Sequence, residues 1–164
     1  MSKEQSVDFS KIKTGGTFLT NVVGSEKVFC KELFSDEEKM IYEAMRDFAI
    51  NELLPLSQNE LNKKDEKLIR KLVEQMGELG FLGIDVPEKY GGSEMTKTGM
   101  CILAEGISFC GSPSFCTVWN VQTSIGSLGI IWYGNDEQKQ KWLPGICSGK
   151  KIAAFVLTEP EAGS

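Results

Sequence analysis

The residues best equipped for chemistry stand together at the end of the chain, in Phe155-Val156-Leu157-Thr158-Glu159-Pro160-Glu161-Ala162-Gly163-Ser164. Thr158 offers a hydroxyl where a short apolar run gives way to a polar turn. Gly163 permits close approach of backbone to a ligand, and Ser164 adds a second hydroxyl and a backbone N–H. Glu159-Pro160 stops any ladder, because proline has no N–H to donate. Taken as chemistry alone, the pattern fits a ligand-facing edge or an ordinary exit from strand to turn.

What the chain lacks narrows the choice. There is no histidine among its 164 residues, so Ser–His and Cys–His nucleophile pairs and His-ligated metals are excluded within it. Cys30, Cys101, Cys110, Cys116 and Cys147 show no CxxC spacing and are odd in number. Free thiols in a reducing compartment fit them better than disulfides or zinc. Cys110 and Cys116 are near enough in sequence to meet in space, but no metal site is expected from the five. The net charge of −5 argues against a nucleic-acid partner. Lys63-Lys64 is cancelled by Asp65-Glu66 and reads as a solvated helix entrance. No apolar run approaches the ~20 residues that span a bilayer, and Met1-Ser2-Lys3-Glu4-Gln5 does not open a signal peptide. The compartment expected is the cytoplasm, or the mitochondrial matrix if a presequence is missing.

Helices must position the polar turn. Residues 1–34 lack a clear period and read as an extended arm. Ser35-Asp36-Glu37-Glu38 forms a capping box, followed by Ile41, Ala44, Met45 and Phe48 on one helix face. Pro55 ends or kinks that helix. A second helix runs from about Asp65 with Ile69, Leu72, Val73, Met76 and Leu79 inward, and Gly80 caps it. A third opens at Thr96 or Thr98 and carries Met100, Cys101, Ala104 and Ile107, until Gly111-Ser112-Pro113 breaks it. A fourth spans Cys116 to about Leu128. Asn135 caps a fifth, Asp136 to Leu143, which Pro144-Gly145 ends. Trp119, Trp132 and Trp142 read as core or interface anchors. From Lys151 the period moves toward 2, and Ile152–Leu157 reads as a strand apolar on both faces that expects cover on two sides. The chain therefore divides into an arm (1–34), a helical domain (35–150) and the first piece of a β-domain (151–164), which breaks off inside the turn.

Three segments carry a resemblance. Leu157-Thr158-Glu159-Pro160-Glu161-Ala162-Gly163-Ser164 is similar to the signature of the acyl-CoA dehydrogenases, flavoenzymes that desaturate fatty acyl thioesters. Leu82-Gly83-Ile84-Asp85-Val86-Pro87-Glu88-Lys89-Tyr90-Gly91-Gly92 looks like that family's connector after its second long helix. Tyr133-Gly134-Asn135-Asp136-Glu137-Gln138-Lys139, then Trp142-Leu143-Pro144 and Ser148-Gly149, resembles its approach to the β-domain. Together they cover about Ser35 to Ser164, closest in look to the very-long-chain branch.

The resemblance implies a mainly α chain: the family's N-terminal helical domain plus the first strand of its middle β-domain. It implies FAD as cofactor, lined by Phe155, Val156, Leu157, Thr158, Glu159, Pro160, Gly163 and Ser164. Leu157 and Thr158 would sit against the isoalloxazine, the Thr158 hydroxyl near N5, and Ser164 would also touch the acyl-CoA. Ile125 and Gly126 would border the acyl cavity. Some medium-chain members carry an acidic side chain where this chain has Gly126, so long acyl chains are expected and Gly126→Glu should shorten the preference. Tight helix packing is the competing explanation for that glycine.

The reaction implied is removal of the α-proton by a carboxylate with hydride transfer from the β-carbon to N5, giving the 2,3-enoyl-CoA. In the family the base is a glutamate of the C-terminal domain. No catalytic residue is therefore expected in this chain, neither Glu159 nor Glu161 is cast as one, and the chain alone should be an inactive fragment. An electron-transfer flavoprotein is the acceptor implied, and a homodimer or tetramer the intact assembly. Two alternatives stand beside this reading: an acyl-CoA oxidase, and a non-catalytic helical interaction module. An unpaired apolar strand at Ile152–Leu157 speaks against the module.

Overall fold

The computed structural model describes residues 31, 34–56, 60–63 and 65–162. The chain divides into two compact units, Met1–Ser35 and Asp36–Ser164, and six α-helices among the described residues, α1–α6, lie in the second. Most of the expected arm, with Lys64, Gly163 and Ser164, falls outside the described residues.

Helix α1, Asp36–Phe48, begins with Asp36, Glu37 and Glu38, whose charges complement the N-terminal end of the helix dipole. Met45 and Phe48 are buried and Ile41 partly so, whereas Ala44, expected inside, faces solvent. The helix widens into a π turn at Ala49–Leu53, with Leu54 N–H donating to Ala49 O, and then tightens into a 3-10 turn at Leu54–Leu56. This irregularity surrounds Pro55, whose ring does not fit an ideal α turn.

Helix α2, Glu66–Glu78, starts where Asp65 Oδ1 accepts from the N–H groups of Lys67 and Leu68, at 3.0 and 3.2 Å. It buries Leu72, Val73 and Met76. Leu79, expected on that stripe, is exposed because it is the C-cap, where the chain turns through Gly80 (φ 78°).

The connector that follows is held by its own backbone: Ser93 N–H donates to Gly83 O and Met95 N–H to Ile84 O, each at 2.9 Å. Asp85 pairs with Lys97 at the start of α3, Lys97–Ile107. Thr96 caps α3 through the Gly99 N–H. Its inner face is Gly99, Ile102, Leu103, Gly106 and Ile107, so Cys101 and Ala104 point outward, against expectation. Glycines define this face: a Cβ on Gly106 would lie 2.9 Å from Met45 Cγ. Hydrophobic periodicity alone gives glycine too little weight to find it.

Helix α4, Pro113–Thr123, has Ser112 as N-cap and proline at its first position. It stops short of the expected Leu128. The Ser124 hydroxyl donates to Asn120 O and Gly126 N–H reaches back to Val121 O at 2.9 Å, which turns the chain into a separate helix α5, Leu128–Tyr133. Helix α6, Asp136–Cys147, has the expected Asn135 cap, reciprocated by Gln138 at 2.8 and 2.9 Å. It runs through Pro144 instead of ending there. The proline forfeits one ladder donor, and the last turn closes around it with Ser148 N–H donating to Pro144 O (3.1 Å) and Lys151 N–H to Gly145 O (2.8 Å).

Two apolar clusters result. The larger joins Met45, Phe48, Leu72, Met76, Leu103, Phe115 and Trp119, with the Trp119 indole N–H donating to Phe81 O at 3.0 Å. The smaller joins Val86, Tyr90, Leu143, Ile146 and Cys147, with Ile130, Ile131 and Ala153 against it. Trp132 and Trp142 are exposed, so of the three tryptophans only Trp119 anchors the core.

The expected strand at Ile152–Leu157 is not formed. The segment is extended, and the one β-bridge among the described residues joins Glu159 to Ala162 within a single turn. A strand requires a neighbour to take its backbone groups, and no described residue lies alongside to do so. No described helix is long and apolar enough to cross a membrane, and no cluster of metal-ligating side chains occurs among the described residues.

Candidate functional site

Helix α4 turns one face inward at Phe115, Trp119, Gln122 and Thr123. Gln122 is the exception in polarity, 1% exposed in apolar surroundings. A buried primary amide is costly unless its donors and acceptor are met. Here all are engaged: Nε2 donates to Ile146 O (3.0 Å) and Lys151 O (2.8 Å), and Oε1 accepts from Ala153 N–H (2.7 Å). One side chain thus ties the end of α6 to the first residues of the exit segment.

Gly126 completes this root. A Cβ there would lie 2.8 Å from Val121 O and 2.9 Å from Ala153 Cβ, so only glycine lets the turn after α4 meet the exit segment at this distance. Gly126, Ile130, Trp142, Ile146, Ala153 and Ala154 also border a cavity of about 400 Å³, rimmed by Arg70, Lys150 and Lys151. Trp142 lies between two cations, Lys141 Nζ 5.1 Å and Lys151 Nζ 4.8 Å from its ring.

Past Ala153 the character changes. Phe155, Val156 and Leu157 are exposed, Val156 by 89%. Between Ala154 and Thr158 the backbone finds no partner among the described residues. Then Glu159 N–H donates to Ala162 O (3.0 Å) and Ala162 N–H to Glu159 O (3.3 Å), a tight turn with Pro160 and Glu161 at its corner. Thr158, Glu159 and Glu161 are exposed. The segment is an apolar edge with free backbone donors and acceptors and one hydroxyl, pinned at both ends.

Of the sequence candidates, the structure brings Phe155, Val156, Leu157, Thr158, Glu159 and Pro160 into this one edge and puts Gly126 at its root. Ile125 is exposed and does not border the cavity, and Gly163 and Ser164 lie outside the described residues. Gln122 was given no role by sequence reasoning. A glutamine in register with Phe115 and Trp119 on an apolar face was the available signal.

The approach to the segment is fixed by a polar contact at the other end of α6. Tyr90 OH donates to Asp136 Oδ1 at 2.6 Å and Lys89 Nζ lies 3.6 Å from the same oxygen. The Tyr90 hydrogen bond, then the Lys89 charge, hold Asp136 below its ordinary value of 3.8. Lys89 is raised by the same cluster, through Tyr90 first and Asp136 second.

Residues 35–150 match the family model described as "Acyl-CoA dehydrogenase, N-terminal domain". A probable acyl-CoA dehydrogenase of Bacillus subtilis (strain 168) is 41% identical over 153 residues, 93% of this chain and 25% of that protein. The human mitochondrial short-chain specific acyl-CoA dehydrogenase is 36% identical over 79% of this chain and 31% of its own length. The crystal structure of an acyl-CoA dehydrogenase complexed with FAD from Bacillus anthracis superposes with a TM-score of 0.79 and 42% identity, covering 91% of this chain and 26% of that one. The chain thus spans about a quarter to a third of the length of these relatives. It belongs to the acyl-CoA dehydrogenase family, whose N-terminal helical domain it carries.

Proposed function

We propose that this chain supplies the helical domain and the first flavin-facing edge of an FAD-dependent dehydrogenase that converts acyl-CoA to 2,3-enoyl-CoA. The observation that carries this reading is the exit segment: exposed Phe155, Val156 and Leu157, a backbone unpaired among the described residues, and the Thr158 hydroxyl, all hung from Gln122. Such an edge suits a flat apolar ring system with polar atoms along one side, which is the chemistry of isoalloxazine. When bound, FAD supplies a two-electron acceptor for hydride from the β-carbon.

The roles of this chain's residues follow. Leu157 would cover the flavin ring and exclude water, and the Thr158 hydroxyl would offer it a hydrogen-bond group. Phe155 and Val156 would complete the apolar lining, with the Glu159–Ala162 turn beside it; Gly163 and Ser164, also assigned to the cofactor by the resemblance, lie outside the described residues. Neither Glu159 nor Glu161 is the base, since both belong to the exposed turn. The base, the remaining acyl-CoA contacts and the homo-oligomer interface belong to the rest of a protein of the relatives' length. The electron acceptor is an electron-transfer flavoprotein, and the compartment is the cytoplasm or a mitochondrial matrix.

Long acyl chains are the proposed substrates; Gly126 borders the cavity of about 400 Å³, but its lack of a side chain is also required by packing. A Cβ at Gly126 would collide with Val121 O and Ala153, so Gly126→Glu would disturb the fold before it shortened any acyl preference.

The test uses the full-length protein. Purified with FAD, it should lose its yellow absorbance when a long-chain acyl-CoA is added without oxygen, and Thr158→Val should slow that loss on the order of 100-fold. The 164-residue chain alone should reduce nothing. Flavin that no acyl-CoA bleaches would refute the reading.

A further inference from the structure

We propose that Cys110 and Cys116 are a peroxide-sensitive dithiol that closes to a disulfide at the first turn of α4. Their sulfurs are 3.4 Å apart, in contact though not bonded. Closing to the ~2.05 Å of a disulfide asks each sulfur to move about 0.7 Å.

Both side chains are already held toward each other by the backbone between them. Ser112 N–H donates to Cys110 Sγ at 3.4 Å, and the Cys110 thiol lies 3.5 Å from Ser112 O. The Cys116 thiol points to Ile107 O at 3.7 Å. Ser112 is fixed in turn as the cap of α4. The two cysteines are therefore paired by the break between α3 and α4, not by chance contact of mobile side chains.

Exposure assigns the order of events. Cys110 is fully buried and Cys116 is half-buried, so oxidant reaches Cys116 first. The Cys116 thiolate attacks a hydroperoxide: an S–O bond forms, the O–O bond breaks, and the departing oxygen takes up a proton and leaves as water or alcohol. Cys110 sulfur then attacks Cys116 sulfur: the S–S bond forms, the S–O bond breaks, and hydroxide leaves as water with the Cys110 proton. Two thiols are oxidised by two electrons in all and one peroxide is reduced. Burial, reinforced by Cys110, pushes the Cys116 thiol up to about 12, which keeps the first step slow.

The consequence lies further along the same helix. Trp119 stands one turn beyond Cys116 with its indole on Phe81 O, and Gln122 follows one turn later. A bridge at the N-terminus of α4 clamps the helix that holds the exit segment.

The experiment is peroxide treatment of the folded protein, then unfolding, alkylation and peptide mass spectrometry. Cys101 is exposed and serves as internal control. Expected is a peptide two hydrogens lighter with fragment ions that place the bridge at Cys110–Cys116, most of the pair protected, and full recovery after dithiothreitol. In Cys110→Ser, Cys116 should gain oxygen with no bridge. Undiminished alkylation of both sulfurs after prolonged peroxide treatment, continued well past complete oxidation of Cys101, would overturn the proposal. So would a bridge from either sulfur to another cysteine.

Discussion

Phe115 and Val156 show what separates the two parts of this molecule. Phe115 is buried in one cluster with Met45, Leu103 and Trp119 in helices that satisfy their own backbones, whereas Val156 is 89% exposed on a backbone that has no partner among the described residues. A helix closes its hydrogen bonds within itself, so the α1–α4 core needs only side-chain packing. An extended segment cannot do this. The protein bridges the two regimes at a single residue, Gln122, whose amide spends its donors and its acceptor on holding the first residues of the segment in place.

The largest test of this contrast is a pair of substitutions. Phe115→Ala should cost about 3–5 kcal/mol in urea unfolding, while Val156→Ser should stay within ~0.5 kcal/mol. Comparable losses would erase the distinction. Next is Gln122→Ala, which takes the side-chain partner from the Lys151 carbonyl and the Ala153 N–H, while Ile146 O keeps the Gly149 N–H at 3.1 Å. With each unmet buried group costing ~1–3 kcal/mol, a loss of about 3 kcal/mol is expected. Gln122→Glu keeps an acceptor for Ala153 but turns a buried carboxyl oxygen toward the Ile146 and Lys151 carbonyls, so it should lose at least as much as Gln122→Ala.

A smaller effect is expected at Gly126. Gly126→Ala places a methyl against Val121 O and Ala153, and about 1–3 kcal/mol should be lost through displacement of the segment's root. An unchanged midpoint would mean the turn after α4 moves freely away. Smallest is the Tyr90–Asp136 contact. Because Asp136 is held below 3.8 when folded, its contribution is complete above about pH 4 and is lost as pH falls through the lower folded value. Tyr90→Phe should flatten that acid limb in a pH series of thermal melts, and an identical limb in both proteins would dismiss the contact.

Local chemistry was legible in the sequence where a single residue decides the outcome. Asn135 caps its helix as expected, α2 starts at the expected Asp65, α3 opens at Thr96, one of the two threonines proposed, and Gly80 terminates α2. What the sequence concealed depends on distant partners. The face of α3 follows Gly99 and Gly106 rather than Cys101 and Ala104, because α1 approaches closely there. Pro144 stays inside α6 because the residues after it reclaim the turn's carbonyls. The region around Leu128 divides into two helices because Ser124 and Gly126 bond backward. At the candidate site the apolar run and its polar turn were readable, but the strand depends on a neighbour and Gln122 on three backbone groups brought from two other segments. Neither kind of dependence leaves a local pattern.

Hydrogen exchange of the 164-residue chain, read amide by amide, addresses the contrast most directly. The account predicts strong protection across α1, α3 and α4 and at Ala153, with amides 154–158 exchanging as in an unfolded chain. Protection that continues through 154–158, or an Ala153 amide as fast as its successors, would contradict it.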